Sequence, residues 1–97
     1  MKIKILNRLH NIEIVEDVLT SCNAAIMRNN LNKIFIVNDI AKELRLEYLL
    51  HECVHNINHQ LNLGFDEAMT DRLACGLTSL IKDNDWKKIE KEILNAK

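Results

Sequence analysis

The hydrophobic period of this chain changes once, near residue 38, and that change limits the folds it can adopt. Before it, apolar β-branched residues alternate with their neighbours, as Ile3 and Ile5 do, and then Ile12 and Ile14. After it, apolar residues recur every three or four positions. Period two is typical of strands and period 3.6 of helices. The chain is therefore predicted to be α+β, with its strands preceding its helices.

The segment 1–38 is predicted to form a small antiparallel sheet of three to four strands. Residues 33–37 alternate in the same way and indicate the last of these strands. Residues 29–32, three of which are asparagine, come directly before it. Because asparagine tolerates left-handed backbone, they are expected to form a hairpin loop. Residues 15–22 fit either a short helix or a connection.

Three helices are predicted, at about residues 40–62, 66–82 and 85–95. The first carries seven apolar residues on one arc, and Gly64 is expected to end it in left-handed conformation. The other two helices carry apolar stripes that are expected to face the core. These stripes are Met69, Leu73, Leu77, Leu80 and Ile81 in the second helix and Trp86, Ile89, Ile93 and Leu94 in the third.

The size and charge of the chain restrict its organisation and its partners. With 97 residues, of which 47% are hydrophobic, residues 1–97 are expected to form a single domain around one core. The 13 basic and 14 acidic residues leave a net charge of -1 and form no basic stripe. Nucleic acid is therefore not an expected partner.

The cysteine count and the absence of long apolar runs indicate the compartment. Three cysteines cannot all pair within one chain. The chain does not open with a secretory signal, and no segment reaches the roughly 20 apolar residues that cross a bilayer. The sequence is therefore expected to be a reduced, cytoplasmic protein without a membrane partner.

Residues 51–55 read His-Glu-Cys-Val-His, which is the HExxH pattern. Two histidines four residues apart lie one above the other on a helix, so both imidazoles can reach one metal ion. Glu52 points elsewhere and can take a proton from a water in the open coordination position. The pattern predicts one zinc ion on His51 and His55, with Glu52 as general base. Iron, cobalt or nickel could also occupy two histidines and one carboxylate.

A catalytic zinc ion needs a third protein ligand. His59 lies about 12 Å of helix rise from His51, which is too far for one ion to bind both on a straight helix. The second helix is the better source. In a tight antiparallel hairpin Asp71 would be level with His55, while Glu67 would lean back towards the turn. Asp71 is therefore favoured as the third ligand, with Glu67 as an outer partner or the alternative ligand.

Four further residues are weaker candidates for a role at this site. Cys53 falls on the apolar arc and is expected to be a core residue. Cys75 lies one turn beyond Asp71 and could approach the metal, although a structural role is favoured. His10 and Tyr48 belong to residue types that can stabilise an oxyanion, but each is expected to be structural.

The sequence around the motif resembles small HExxH zincin-like proteins encoded by phages and prophages. More distantly, it is similar to metallopeptidases of the ImmA/IrrE type. The N-terminal strands also resemble those that precede the active-site helix in that group. The residues that carry the resemblance are Leu49–His55, Gly64, Asp71–Leu77 and Lys82–Asn84, with 1–6 and 34–38 in the strands.

The resemblance implies a zincin-like fold, zinc on the two motif histidines, and an acidic third ligand from the following helix. That acid is commonly a glutamate where this chain has Asp71. The resemblance also implies a zinc metallopeptidase that hydrolyses an intracellular protein or peptide, such as a repressor, in the cytoplasm of a bacterial host. The alternative is a non-catalytic, zinc-stabilised phage protein that binds and inhibits a host protein. Trp86, on the third helix, could be the residue that anchors this partner.

Overall fold

The computed structural model describes residues 1–16, 25–28, 32–38 and 40–96, so most of the ambiguous segment 15–22 and of the loop 29–32 lies outside the described residues. No helix in the described ranges is both long and apolar enough to cross a membrane. The strands are β1 (Lys2–Ile5), β2 (Arg8–Val15), β3 (Ala25–Arg28) and β4 (Lys33–Val37), and the helices are α1 (Lys42–Leu61), α2 (Glu67–Lys82) and α3 (Trp86–Leu94).

The predicted α+β class is confirmed, since a four-stranded sheet precedes a helical hairpin and a terminal helix. The strand order is β1-β2-β4-β3. Strands β1 and β2 pair antiparallel, as do β3 and β4. The sequence predicted a purely antiparallel sheet, and this prediction is wrong for one pair of strands. Strands β2 and β4 pair in parallel, with Ile12 beside Ile34.

The parallel pair follows from the burial of β4. Ile34 is 0% and Ile36 is 2% exposed, which makes β4 the most buried strand whose side chains are described. A strand that is buried in this way is best placed in the centre of a sheet, where both of its edges are paired. The second strand of the β3–β4 hairpin therefore lies between β2 and β3, and it runs in the same direction as β2.

A two-residue turn joins β1 to β2, and both of its residues have positive φ. Leu6 has φ 48° and Asn7 has φ 67°, while Ile5 and Arg8 form the closing pair of the hairpin. Two positive φ values match the twist of a tight hairpin. Asparagine adopts this conformation readily, but for leucine it is strained. Asn32, in the predicted hairpin loop, also has positive φ, at 51°.

Helix α1 covers one face of the sheet and forms the core with it. The cluster of buried residues contains Cys53 of α1, and Tyr48, Leu49 and Ile57 pack against it from the same helix. The strands contribute Ile5, Ile12, Ile34 and Ile36. The predicted apolar arc of α1 is therefore largely core, except for Leu61, which is 54% exposed. The helix ends at the left-handed Asn62, with Gly64, also at positive φ, two residues further on.

Helix α2 packs on α1 through small residues and not through its predicted apolar stripe. Thr70, Ala74 and Thr78 are buried, and both threonine hydroxyls donate to backbone carbonyls one turn earlier, so they need no other partner. Small side chains allow the two helices to approach closely. The stripe that was expected in the core is exposed, as is most of the α3 stripe: Met69, Leu73, Leu80, Ile81, Trp86, Ile93 and Leu94.

We expect Leu6→Asn to raise the free energy of unfolding by about 0.5–1 kcal/mol, because asparagine tolerates left-handed backbone better than leucine. Urea denaturation measures the change. Leu9→Asn is the matched control, since Leu9 is 49% and Leu6 is 48% exposed. Leu9 lies within β2, where asparagine is unfavourable, so the control is expected to lose stability. Equal effects of the two substitutions would contradict the strain at Leu6.

Candidate metal centre

His51 and His55 lie one turn apart on α1, and their rings are directed at one point. Their Nε2 atoms are 3.0 Å apart, and the rings meet edge to face with centroids 4.6 Å apart. At most one proton fits between two nitrogens at this distance, and two charged imidazoliums would repel each other. The pair can therefore share one proton in an N–H···N hydrogen bond, or one metal ion in place of that proton.

The carboxylate of Glu67, at the start of α2, reaches both rings. Its Oε1 lies 2.7 Å from His51 Nε2 and its Oε2 lies 3.0 Å from His55 Nε2. One ligand atom from each of these three residues lies within 4.8 Å of the others, so the group could hold a metal ion. The structure thus brings together both predicted histidines and one of the two predicted acids.

Asp71 contacts the opposite side of the His51 ring. Its Oδ1 lies 2.9 Å from His51 Nδ1, so it accepts the proton of that nitrogen and leaves the lone pair of Nε2 directed at His55 and Glu67. The sequence favours Asp71 as the third ligand and Glu67 as its outer partner. The geometry favours the alternative ligand, since Glu67 lies at the converging atoms and Asp71 lies behind one of the rings.

The connection between α1 and α2 explains why Glu67, and not Asp71, reaches both histidines. A helix rises about 1.5 Å per residue, whereas an extended chain rises about 3.3 Å per residue. An extended connection therefore needs fewer residues than a helix to cover the same distance back along α1. Asp66 is extended, and Phe65 already lies beside Asn58. Glu67 therefore begins α2 next to His55, one turn closer than a tight turn would place it. The prediction assumed a tight antiparallel hairpin.

Asn58 holds this connection in place, and the motif does not predict that role. Its Nδ2 donates to the carbonyl of Phe65 at 3.2 Å, and its Oδ1 accepts from the N–H of Phe65 at 3.1 Å. The N–H of Leu63 also donates to the backbone carbonyl of Asn58. Asp66 then caps α2 by accepting from the N–H of Met69 at 2.8 Å. An asparagine four residues before the left-handed Asn62 is too common a pattern to have identified Asn58 from sequence.

Chemically, the three converging side chains fit zinc. Imidazole nitrogen and carboxylate oxygen are ordinary zinc ligands, and in a tetrahedral site neighbouring ligand atoms lie about 3.3 Å apart. The spacings of 2.7–3.0 Å between these atoms are shorter by only a few tenths of an ångström. The Glu67 side chain is 65% exposed and can adjust, whereas that of His51 is 16% exposed.

Glu52, between the two histidines in sequence, is 7% exposed. Burial raises the pKa of its carboxyl above the ordinary value, His55 opposes this shift, and the negative charge of Glu67 adds to it. A carboxyl with a raised pKa can gain and lose a proton near neutral pH more readily than an exposed one. The residue predicted as general base therefore lies in a buried environment that the charges of His55 and Glu67 also influence.

The remaining candidates lie outside this group. Cys53 is a core residue, as predicted, and burial together with Glu52 raises the pKa of its thiol to about 11. Cys75 and His59 are exposed. Tyr48 packs against the core cluster. His10 is buried on β2, with Nδ1 3.0 Å from the carbonyl oxygen of Arg8.

Comparison with protein-family models, with curated proteins and with solved structures finds no match for this chain.

We expect Asn58→Ala to lower the free energy of unfolding by about 1–3 kcal/mol, because it leaves the N–H and the carbonyl of Phe65 without their side-chain partner. It should also weaken the binding of divalent metal, since Glu67 would lose its fixed position. Urea denaturation and zinc titration measure the two effects. Gln60→Ala is the control, because Gln60 bonds to Asn56 and Ile5 and not to the connection. Equal metal affinity in both variants would contradict the positioning role of Asn58.

Proposed function

We propose that this protein is a zinc-dependent peptide hydrolase, in which His51, His55 and Glu67 hold the metal and Glu52 acts as the general base. The observation that carries the proposal is the approach of the Glu67 carboxylate to both Nε2 atoms, at 2.7 and 3.0 Å, beside a buried carboxyl. Two histidines and a glutamate form a frequent ligand set of catalytic zinc, which leaves a position open for water.

Zinc, when bound, supplies the acidity that lets a water molecule lose a proton near neutral pH and polarises the carbonyl under attack. The chain's own residues do the rest. Glu52 takes the proton at its carboxylate and delivers it to the departing amine. The buried environment that raises its pKa favours the protonated form between these two transfers. Asp71 fixes the orientation of the His51 ring through its Nδ1 proton.

A peptide is the substrate class that suits the arrangement of the sheet. Strand β3 lies at the end of the strand order and packs against α1, the helix that carries both histidines. A strand at a sheet edge can pair with an extended peptide through main-chain hydrogen bonds. Such a peptide along β3 would run beside the active-site helix. This placement supports hydrolysis of an extended segment of an intracellular protein.

Separate substitution of Glu67 and of Asp71 distinguishes the metal ligand from the residue that only contacts a ligand. We expect Glu67→Ala to lose bound zinc and Asp71→Ala to keep one equivalent at roughly 10- to 100-fold lower affinity, as is typical when an outer partner is removed. Elemental analysis and competition with a chelator measure both quantities. The two residues control for each other, since both are on α2 and both side chains are 65% exposed. Loss of zinc only in Asp71→Ala would reverse the assignment.

Glu52→Gln tests the catalytic role. We expect the variant to bind one zinc ion with no loss of stability, because an amide avoids the cost of burying a carboxylate. It should lose cleavage by a factor of about 10² or more, since the base is gone. The substrate is sought by incubating zinc-loaded protein with a bacterial lysate and identifying new N-termini by mass spectrometry.

Termini that form with wild type but not with Glu52→Gln or with chelated protein would support the hydrolase. Identical termini from Glu52→Gln would reject Glu52 as the base. If zinc-loaded wild type produces no termini and Glu52→Gln retains the full biological effect, the non-catalytic, zinc-stabilised binding protein is the better account.

A further inference from the structure

Helix α2 is buried by a contact that is separate from the main core. The core cluster contains four isoleucines of the strands together with Cys53 of α1, and no described residue of α2 belongs to it or packs against it. Ala74 of α2 is nevertheless buried, at 1% exposed. The described part of the chain therefore has two buried regions, one between the sheet and α1 and one between α1 and α2.

The apolar part of the contact between α1 and α2 is small. On α1 it includes Val54, which is 2% exposed and lies one turn from both His51 and Asn58, the residues that contact α2 and its connection. The buried residues of α2 are Thr70, Ala74 and Thr78. Their apolar parts are methyl groups. Because hydrophobic stabilisation is roughly proportional to the apolar area removed from water, this contact contributes much less than the isoleucine core.

Polar contacts near the two ends of α2 supplement this apolar contact. Near the start of α2, two carboxylates that are each 65% exposed contact the histidine rings of α1. At the end of α2, Lys82 Nζ donates to the backbone carbonyl of Glu43 at 2.9 Å. Exposed ion pairs and hydrogen bonds add little net stability, since water replaces them when they break. Without a metal ion, α2 is therefore held on α1 by weak contacts.

The position of α2 in the fold allows it to separate from α1 while the core stays intact. Among the described residues, α2 packs extensively against α1 and not against a strand. In the connection, Gly64 has φ 75°, and a Cβ added there would meet no atom within 4 Å, so packing at this point does not oppose a change of direction. Elements with few buried apolar contacts are those that open locally, at a lower free energy than global unfolding.

We infer that metal binding controls the docking of α2 on α1. The inference rests on the metal centre of the proposed function, because a cation bound to His51, His55 and Glu67 connects the two helices. The complete ligand set exists only in the docked state, since separation of α2 carries Glu67 away from the rings. A cation therefore stabilises the docked state relative to the separated one. Without it, α2 separates and docks repeatedly, and the side of α1 around Val54 becomes accessible to water.

Hydrogen exchange of the full chain, followed by mass spectrometry, tests the inference in zinc chloride and in chelator. We expect saturating zinc to slow the exchange of α2 amides by roughly 10- to 100-fold, because the docked state gains the free energy of binding. The amides of β2 and β4 should change by less than about twofold, because local opening of α2 leaves the core folded. Elemental analysis of the same samples measures the bound zinc.

Glu67→Gln removes the ligand that α2 contributes, and Glu43→Gln is its matched control. Each substitution neutralises the acidic residue in the first turn of its helix, α2 for Glu67 and α1 for Glu43. Both therefore lose a similar interaction with the helix dipole. We expect zinc to lose its effect on the exchange of α2 in Glu67→Gln and to retain it in Glu43→Gln.

Lys82→Met tests the docking of α2 without metal. In chelator we expect it to speed the exchange of α2 amides severalfold, because the contact with the carbonyl of Glu43 is lost. The amides of β2 and β4 should not change. Lys91→Met is the control, since Lys82 and Lys91 are each the basic residue in the last turn of a helix, α2 and α3 respectively. It should leave the exchange of α2 unchanged.

The outcomes distinguish failure of the inference from failure of the metal centre. If one equivalent of zinc binds but the exchange of α2 does not change, or the strands are protected as strongly as α2, the inference is overturned and the metal centre stands. Zinc protection of α2 that persists in Glu67→Gln would also overturn it. If wild type binds no zinc, the metal centre is rejected, and the inference is rejected with it.

Discussion

The close packing of the first turns of α2 against the middle of α1 is the contact on which the site depends. His51 and His55 converge because of helical spacing alone, but a carboxylate meets them only if α2 begins at their level and approaches closely. Asn58 sets the level through the backbone of Phe65. Thr70 and Ala74, each almost fully buried, allow the close approach. A larger side chain at either position would separate the helices and remove Glu67 from the rings.

The same region carries a local energetic cost in this small domain. It contains a buried carboxyl with a raised pKa and two imidazole nitrogens that face each other. Burial of the Glu52 carboxyl costs solvation, and this loss does not favour folding. Local groups that oppose stability are typical of functional sites, where the surrounding structure must hold them. Here the aliphatic core between α1 and the sheet provides that support, and a bound cation would turn the cost into a gain.

Sequence reasoning succeeded where a feature depends on neighbours in the chain. The strand-to-helix order, the pairing of His51 with His55 and the core position of Cys53 all follow from local spacing. Sequence spacing says less where distant segments decide. The relative positions of Asp71 and Glu67 depend on an extended connection, and the antiparallel prediction was wrong for β2 and β4, whose parallel pairing depends on competition for the centre of the sheet. The stripe of α2 shows a further limit, since period 3.6 identifies an apolar side but not what covers it.

The residues of the candidate metal centre are closer together in sequence than the residues that pair in the sheet. All five residues of the site lie between positions 51 and 71, within one helical hairpin, while the sheet joins Ile12 to Ile34 across an intervening strand. Contacts that are close in sequence form faster than those that close long loops. The hairpin is thus able to assemble before the sheet is complete, because none of its contacts requires a strand.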